Sequence, residues 1–174
     1  MPSKIIIAAM ILIYVAGCGG EGSVDSQTEV IADYPVKNLE GVITRNGVSL
    51  DEKITSDGNG SIRISVSGPG TYSLYETGDI DLDDARLIYS AEIRTENFDG
   101  NVFLEMICSL PGKGEYFSRD IDNTLTGTNL WSSRETMFLL KKGENPNNVR
   151  LNVVTDGTGT VWIDDIKLEK ASPE

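Results

Sequence analysis

The 174-residue chain contains no histidine, which removes the usual general base near neutral pH, the usual triad member and the commonest zinc ligand. It has no Gly-x-Ser-x-Gly elbow, no phosphate-binding glycine loop and no paired-cysteine metal site. Basic residues are scarce: 15 Lys and Arg stand against 27 Asp and Glu, for a net charge of −12. Such a surface repels phosphate backbones and anionic headgroups, so nucleic acid is not an expected partner. The chain also lacks an apolar run of membrane-spanning length. Its longest, Ile5 to Ala16, is about a dozen residues, where a spanning helix needs about 20. From Val42 onward no stretch carries a sustained helical stripe. These absences point away from an acid–base or zinc enzyme, a nucleic-acid binder and a helical fold.

What is present begins with Met1-Pro2-Ser3-Lys4, one positive charge, followed by the apolar run and small residues, the layout of a secretory signal. Val15-Ala16-Gly17-Cys18 resembles the bacterial lipobox, in which the thiol receives a diacylglycerol and the signal is cut just before it. The expectation is a signal over 1–17 and an acylated Cys18 that holds the protein to a membrane; buried acyl chains supply about 0.8 kcal/mol per CH₂. Gly19, where an aspartate favours inner-membrane retention, leans towards the outer membrane of a Gram-negative cell envelope. Residues 18–35 are rich in Gly, Ser, Glu and Asp and read as a flexible tether. Residues 36–170 are the size of one domain with a single core, and 171–174 form a short tail. With Cys18 acylated, Cys108 is left alone in the apolar run Val102 to Cys108, where it reads as a small buried hydrophobe.

Within the domain, β-branched and aromatic residues come in short blocks separated by Gly, Asn, Asp and Pro. The blocks are Gly41–Arg45, Ser61–Ser67, Gly70–Glu76, Leu87–Thr95, Asn101–Ser109, Glu115–Ile121, Arg134–Lys141, Asn148–Thr155 and Thr160–Glu169. The segments Ser56-Asp57-Gly58-Asn59-Gly60 and Asp156-Gly157-Thr158-Gly159 are turns between them. About eight or nine strands joined this way predict an all-β, two-sheet sandwich or jelly roll. Alternation assigns Tyr89, Ala91, Ile93, Val102, Leu104, Met106, Val149, Leu151 and Val153 to the core. It places Glu92, Arg94, Phe103, Glu105, Arg150 and Asn152 together on one outer face.

The run Ser56 to Ile64, the segment Tyr89-Ser90-Ala91-Glu92-Ile93-Arg94-Thr95-Glu96 and the closing Gly159-Thr160-Val161-Trp162-Ile163-Asp164-Asp165-Ile166-Lys167-Leu168 together resemble a carbohydrate-binding-module jelly roll of the galactose-binding-like superfamily. The resemblance spans roughly Asn38 to Lys170. It implies fold more strongly than ligand, since the scaffold also serves in attachment and structural domains. Many members hold a structural calcium between first and last strands; the matching positions are Glu40, Asp57, Asp164 and Asp165, oxygen donors suited to a hard cation. Asp79-Ile80-Asp81-Leu82-Asp83-Asp84 is not an EF-hand loop, because the required Gly is Asp84 and the terminal Glu position is Ser90.

Sugar-binding members stack pyranose rings on exposed aromatics and fix hydroxyls with polar side chains. That implies Trp131, in the polar loop Thr124 to Ser133, and Tyr116 or Phe117, one of which alternation should bury. Phe103, Arg94, Glu105, Arg119 and Asn152 complete the ligand-binding candidates. A two-carboxylate glycosidase needs a deep cleft that a lone sandwich rarely supplies, so no catalysis and no catalytic cofactor are expected. The function that follows is a membrane-anchored, extracytoplasmic binding module that recognises a glycan. The alternative is a structural or attachment domain that docks another cell-envelope protein.

Overall fold

The computed structural model describes residues 28–173. The signal segment 1–17, the acylation site Cys18 and the first part of the tether lie outside the described residues. Nine strands and no helix are present among them: β1 Glu29–Tyr34, β2 Val48–Asp51, β3 Ser61–Val66, β4 Gly70–Glu76, β5 Ala85–Leu110, β6 Gly114–Arg119, β7 Leu125–Leu140, β8 Asn148–Thr155 and β9 Thr158–Ala171.

All the pairings are antiparallel, and β5 organises them. Its first half, from Ala85 to Glu96, lies between β7 and β9. Its second half, from Val102 to Leu110, lies between β8 and β6. The strand thus passes from one layer to the other, turning at Asn97 (φ 49°) and Gly100 (φ 121°). Layer one contains β1, β2, β3, β9, the first half of β5 and β7; layer two contains β4, β8, the second half of β5 and β6. This is the expected jelly-roll sandwich, with one continuous strand where the sequence suggested two.

The core lies between the layers and follows the alternation. Leu87, Tyr89, Ala91 and Ile93 of the first half of β5, Leu104, Met106 and Cys108 of the second, Val149, Leu151 and Val153 of β8, and Ile163, Ile166 and Leu168 of β9 are all buried. Each buried Leu, Ile, Val or Met among them contributes about 1.5–3 kcal/mol by leaving water. Burial pushes the Cys108 thiol up to about 12, so it is a core hydrophobe and not a nucleophile. Tyr89 is fully buried, and its hydroxyl has no hydrogen-bond partner among the described residues; burial, with Tyr75 adding to it, drives its phenol far above the usual range. An unpaired buried hydroxyl costs stability. Tyr89→Phe is therefore expected to leave stability unchanged or raise it by about 1 kcal/mol. A denaturant titration in which the variant is clearly weaker would mean that the hydroxyl is bonded after all.

Several boundaries differ from those expected. The stretch read as tether ends in a strand: β1 pairs with β9 from Glu29↔Lys170 to Tyr34↔Ile166, and the Tyr34 ring stacks on Tyr75 at 4.1 Å. Its Val30-Ile31-Ala32 core was hidden by acidic neighbours. Gly41–Arg45 is not a strand, although Ile43 and Thr44 donate backbone N–H bonds to Leu74 and Ser73; left-handed Gly41 and Gly47 confine it to a short turn-bounded segment. The chain pairs instead at β2. Of residues 124–133, read as a loop, all but Thr124 form the start of β7, where Thr and Asn side chains make cross-strand bonds. At the other end β9 reaches Ala171, just into the expected tail.

Candidate functional site

Two groups of polar side chains stand out, one where β9 passes from its pairing with β3 to that with β1 and one on the outer face of layer two. The first is acidic. Register between β5 and β9 shifts between the Ser90 and Glu92 pairs, and Asp165 takes a left-handed φ of 48°. A bulge of this kind re-aims side chains. One carboxylate oxygen each of Asp57, Asp164 and Asp165 come within 4.8 Å of one another. Ser56 ties the group together: its N–H donates to Asp164 Oδ2 at 2.8 Å, and its hydroxyl lies 2.9 Å from Asp164 Oδ2 and 2.6 Å from Asp165 Oδ2. One hydroxyl carries one proton, so it cannot satisfy both carboxylates. Burial raises the Asp164 carboxyl above its usual value against hydrogen bonds from Ser56 and Asp165 that lower it, with Asp57 adding to the rise. Asp57 is held low by the backbone and side-chain N–H groups of Asn59. Glu40, exposed in a turn where its N–H bonds Asn38 Oδ1, is not part of the cluster.

The second group lies on layer two. Cross-strand register sets Arg119 beside Glu105 and Glu105 beside Asn152, with Phe117, Ile107 and Arg150 in the next row. Arg119 Nε donates to Glu105 Oε2 at 2.6 Å, and Asn152 Nδ2 donates to Glu105 Oε1 at 2.9 Å. The Arg119 guanidinium sits 4.3 Å from the centre of the Phe117 ring. Arg150 lies 3.7 Å from both Glu76 and Glu115. Although they belong to an outer face, Glu105 is 4% and Asn152 1% exposed, whereas Phe117 is 60% exposed. Phe103, half-buried, borders the group on β5.

The expected ligand-binding residues therefore do not converge on one face. Phe103, Glu105, Arg119 and Asn152 do. Arg94 and Glu92 belong to the first half of β5 and lie on the outside of layer one. The outward residues of the two halves point in opposite directions because the strand folds over between them. Trp131 is in β7, not in a loop, and stands with Leu130 at a bulge opposite Arg94. Tyr116 pairs with Cys108 and so points to the inner side, yet at the edge strand it is 46% exposed; neither it nor Phe117 is buried. Trp162 is buried on the outside of layer one. Its Nε1 donates to Asp51 Oδ2 at 2.9 Å, and Arg63 and Arg94 lie over it at 5.7 and 5.8 Å. Phe117 was visible in sequence as an aromatic; its stacking with Arg119 required the register of β5 and β6.

This architecture is a β-sandwich fold that solved carbohydrate-binding modules also have. Similar solved structures include the CBM22-1 xylan-binding domain of Paenibacillus barcinonensis Xyn10C, with a TM-score of 0.62 and 10% identity over 86% of this chain and 99% of that domain. The CBM22-1–GH10 modules of Clostridium thermocellum endo-1,4-β-D-xylanase 10B, complexed with xylohexaose, superpose with a TM-score of 0.60 and 14% identity over 81% of this chain; the match spans 28% of that longer chain. Another family 22 xylan-binding domain gives 0.54, 12% identity, and coverage of 83% and 96%. At these identities the likeness is one of fold. No protein-family model and no curated protein sequence matches the chain.

Proposed function

We propose that the protein is a non-catalytic, lipid-anchored module of the bacterial cell envelope that binds a carbohydrate through the outer face of layer two. The observation that carries this reading is Phe117, a largely exposed ring on a sheet face whose neighbours are hydrogen-bonded polar groups. A sugar presents an apolar ring face and a rim of hydroxyls, and such a surface offers partners for both. The signal-like N-terminus and Cys18 support anchoring, with the outer membrane as the destination in a Gram-negative cell. The xylan-binding domains with this fold make unsubstituted and decorated xylans the first glycans to test. Calcium is the proposed structural ion at Asp57, Asp164 and Asp165. Three carboxylates with oxygens within 4.8 Å of one another concentrate negative charge, and a cation there would offset it.

The test is a glycan array followed by titration of a selected oligosaccharide. Phe117→Ala is expected to weaken binding about tenfold, the loss of one stacked ring. Trp131→Ala, on the opposite layer, should leave it unchanged. The reverse pattern would move the site to layer one. Absence of glycan binding by folded protein would favour docking of an envelope protein, a reading supported by Leu130, Met137 and Leu139, exposed along β7.

A further inference from the structure

We infer that Glu105 is a positioning residue whose role is to fix the orientation of the Phe117 ring through Arg119. The inference rests on the carbohydrate reading of the same face. An exposed phenylalanine on a sheet surface is ordinarily free to change rotamer. Here it is the end of a chain of contacts that starts in a desolvated place. Asn152, 1% exposed, donates through Nδ2 to Glu105 Oε1; Glu105, 4% exposed, accepts from Arg119 Nε on its other oxygen; the Arg119 guanidinium lies on the Phe117 ring. Each link leaves the next little freedom. With both carboxylate oxygens engaged, the Glu105 plane is fixed, and a guanidinium held through Nε has its own plane set. A planar cation over a ring face restrains the ring in turn.

The amide orientation of Asn152 is determined by the same chain, because the flipped amide would set two oxygens face to face. In the orientation present, Asn152 Oδ1 is buried without a partner among the described residues. That unsatisfied acceptor costs stability, and an apolar side chain of similar size would pack there without it. The arrangement is intelligible as preorganisation: a ring already held for stacking loses less rotamer entropy when a ligand arrives. Glu105 then affects affinity without touching the ligand.

Two variants separate positioning from folding. Arg119→Lys keeps a cation beside the buried carboxylate but removes the planar group, and Glu105→Gln removes the charge that holds it. The chain has four phenylalanines, so the Phe117 ring can be followed by NMR on the full chain in detergent with ¹³C-labelled phenylalanine. Both variants are expected to lower the order of the Phe117 ring while the buried Phe98 ring is unchanged. Both should weaken the array-selected oligosaccharide about fivefold, and neither should weaken it further in a Phe117→Ala background, since coupled residues are non-additive. A Phe117 ring that stays ordered in both variants overturns the inference, as does an undiminished loss of affinity in the Phe117→Ala background. A ring that loosens in a protein whose glycan binding ignores Phe117→Ala supports the positioning chain but overturns the carbohydrate reading of this face.

Discussion

Gly157→Ala is expected to cost about 3 kcal/mol or more, enough to remove a large share of the stability of a domain this size. Where β5 crosses between layers, Asp99 and Gly100 pass directly over the β8–β9 turn. A Cβ on Gly157 would overlap the Asp99 carbonyl oxygen and lie 2.6 Å from its carbon and 2.8 Å from Gly100 Cα. These are backbone atoms, and no rotamer change relieves the clash. Gly159 meets the same crossing with a φ of 145° and Phe98 Cα 2.7 Å from where its Cβ would be, so two layers of chain are locked together by missing side chains. Gly68 supplies the control: nothing lies within 4 Å of its Cβ position, and Gly68→Ala should change stability by only a few tenths of a kcal/mol. Urea titrations of the two variants test the difference. A Gly157→Ala midpoint as high as that of Gly68→Ala would mean that the crossing opens readily to admit the added methyl group.

That crossing also marks where sequence reading stopped. The alternation in β8 and β9 is plain in Val149, Leu151 and Val153 and in Val161 and Ile163, because these residues alternate onto the buried inner face of their strands. The same alternation in β5 identified the core but could not say which outer face a residue belonged to, because sidedness reverses only in space at Asn97–Gly100. Hence Arg94 and Glu105, eleven positions apart on one strand, were expected together and lie on opposite layers. The start of β7 was missed for a different reason. Thr126, Gly127, Thr128 and Asn129 have turn composition, and their strand geometry comes from pairing with β5 and from the Asn129–Thr95 bond. The acidic cluster was legible only through the likeness of the closing strand and the Ser56–Gly60 turn to a known jelly roll. Glu40 failed because proximity in a motif is not proximity across a sheet. The link from Glu105 to Phe117 had no sequence signal, since it depends on which residues of β5, β6 and β8 stand side by side.

Calcium is expected to raise the unfolding free energy by about 3 kcal/mol when its concentration is some hundredfold above the dissociation constant, a shift of about 10 °C in a domain of this length. The acidic cluster makes this prediction specific. Burial raises the Asp164 carboxyl, so the folded chain holds that proton more tightly than the unfolded chain does. Stability contributed there falls as pH rises from the ordinary aspartate value through the raised folded one, and at neutral pH the ionised Asp164 carboxylate opposes folding. A cation reverses the sign by favouring the charged form. Asp164→Asn should therefore do little in chelator. It removes a disfavoured charge but leaves one of the Ser56 or Asp165 N–H groups facing an amide donor, and the two effects offset to within about 1 kcal/mol. In calcium the same variant should lose nearly all of the gain seen in the unmodified protein. Thermal denaturation of both proteins in calcium and in chelator gives four melting temperatures, and the prediction is an interaction between them. Equal melting temperatures for the unmodified protein in the two conditions would make the cluster a hydrogen-bonded turn closure held by Ser56. An equal calcium gain in both proteins would place the ion elsewhere.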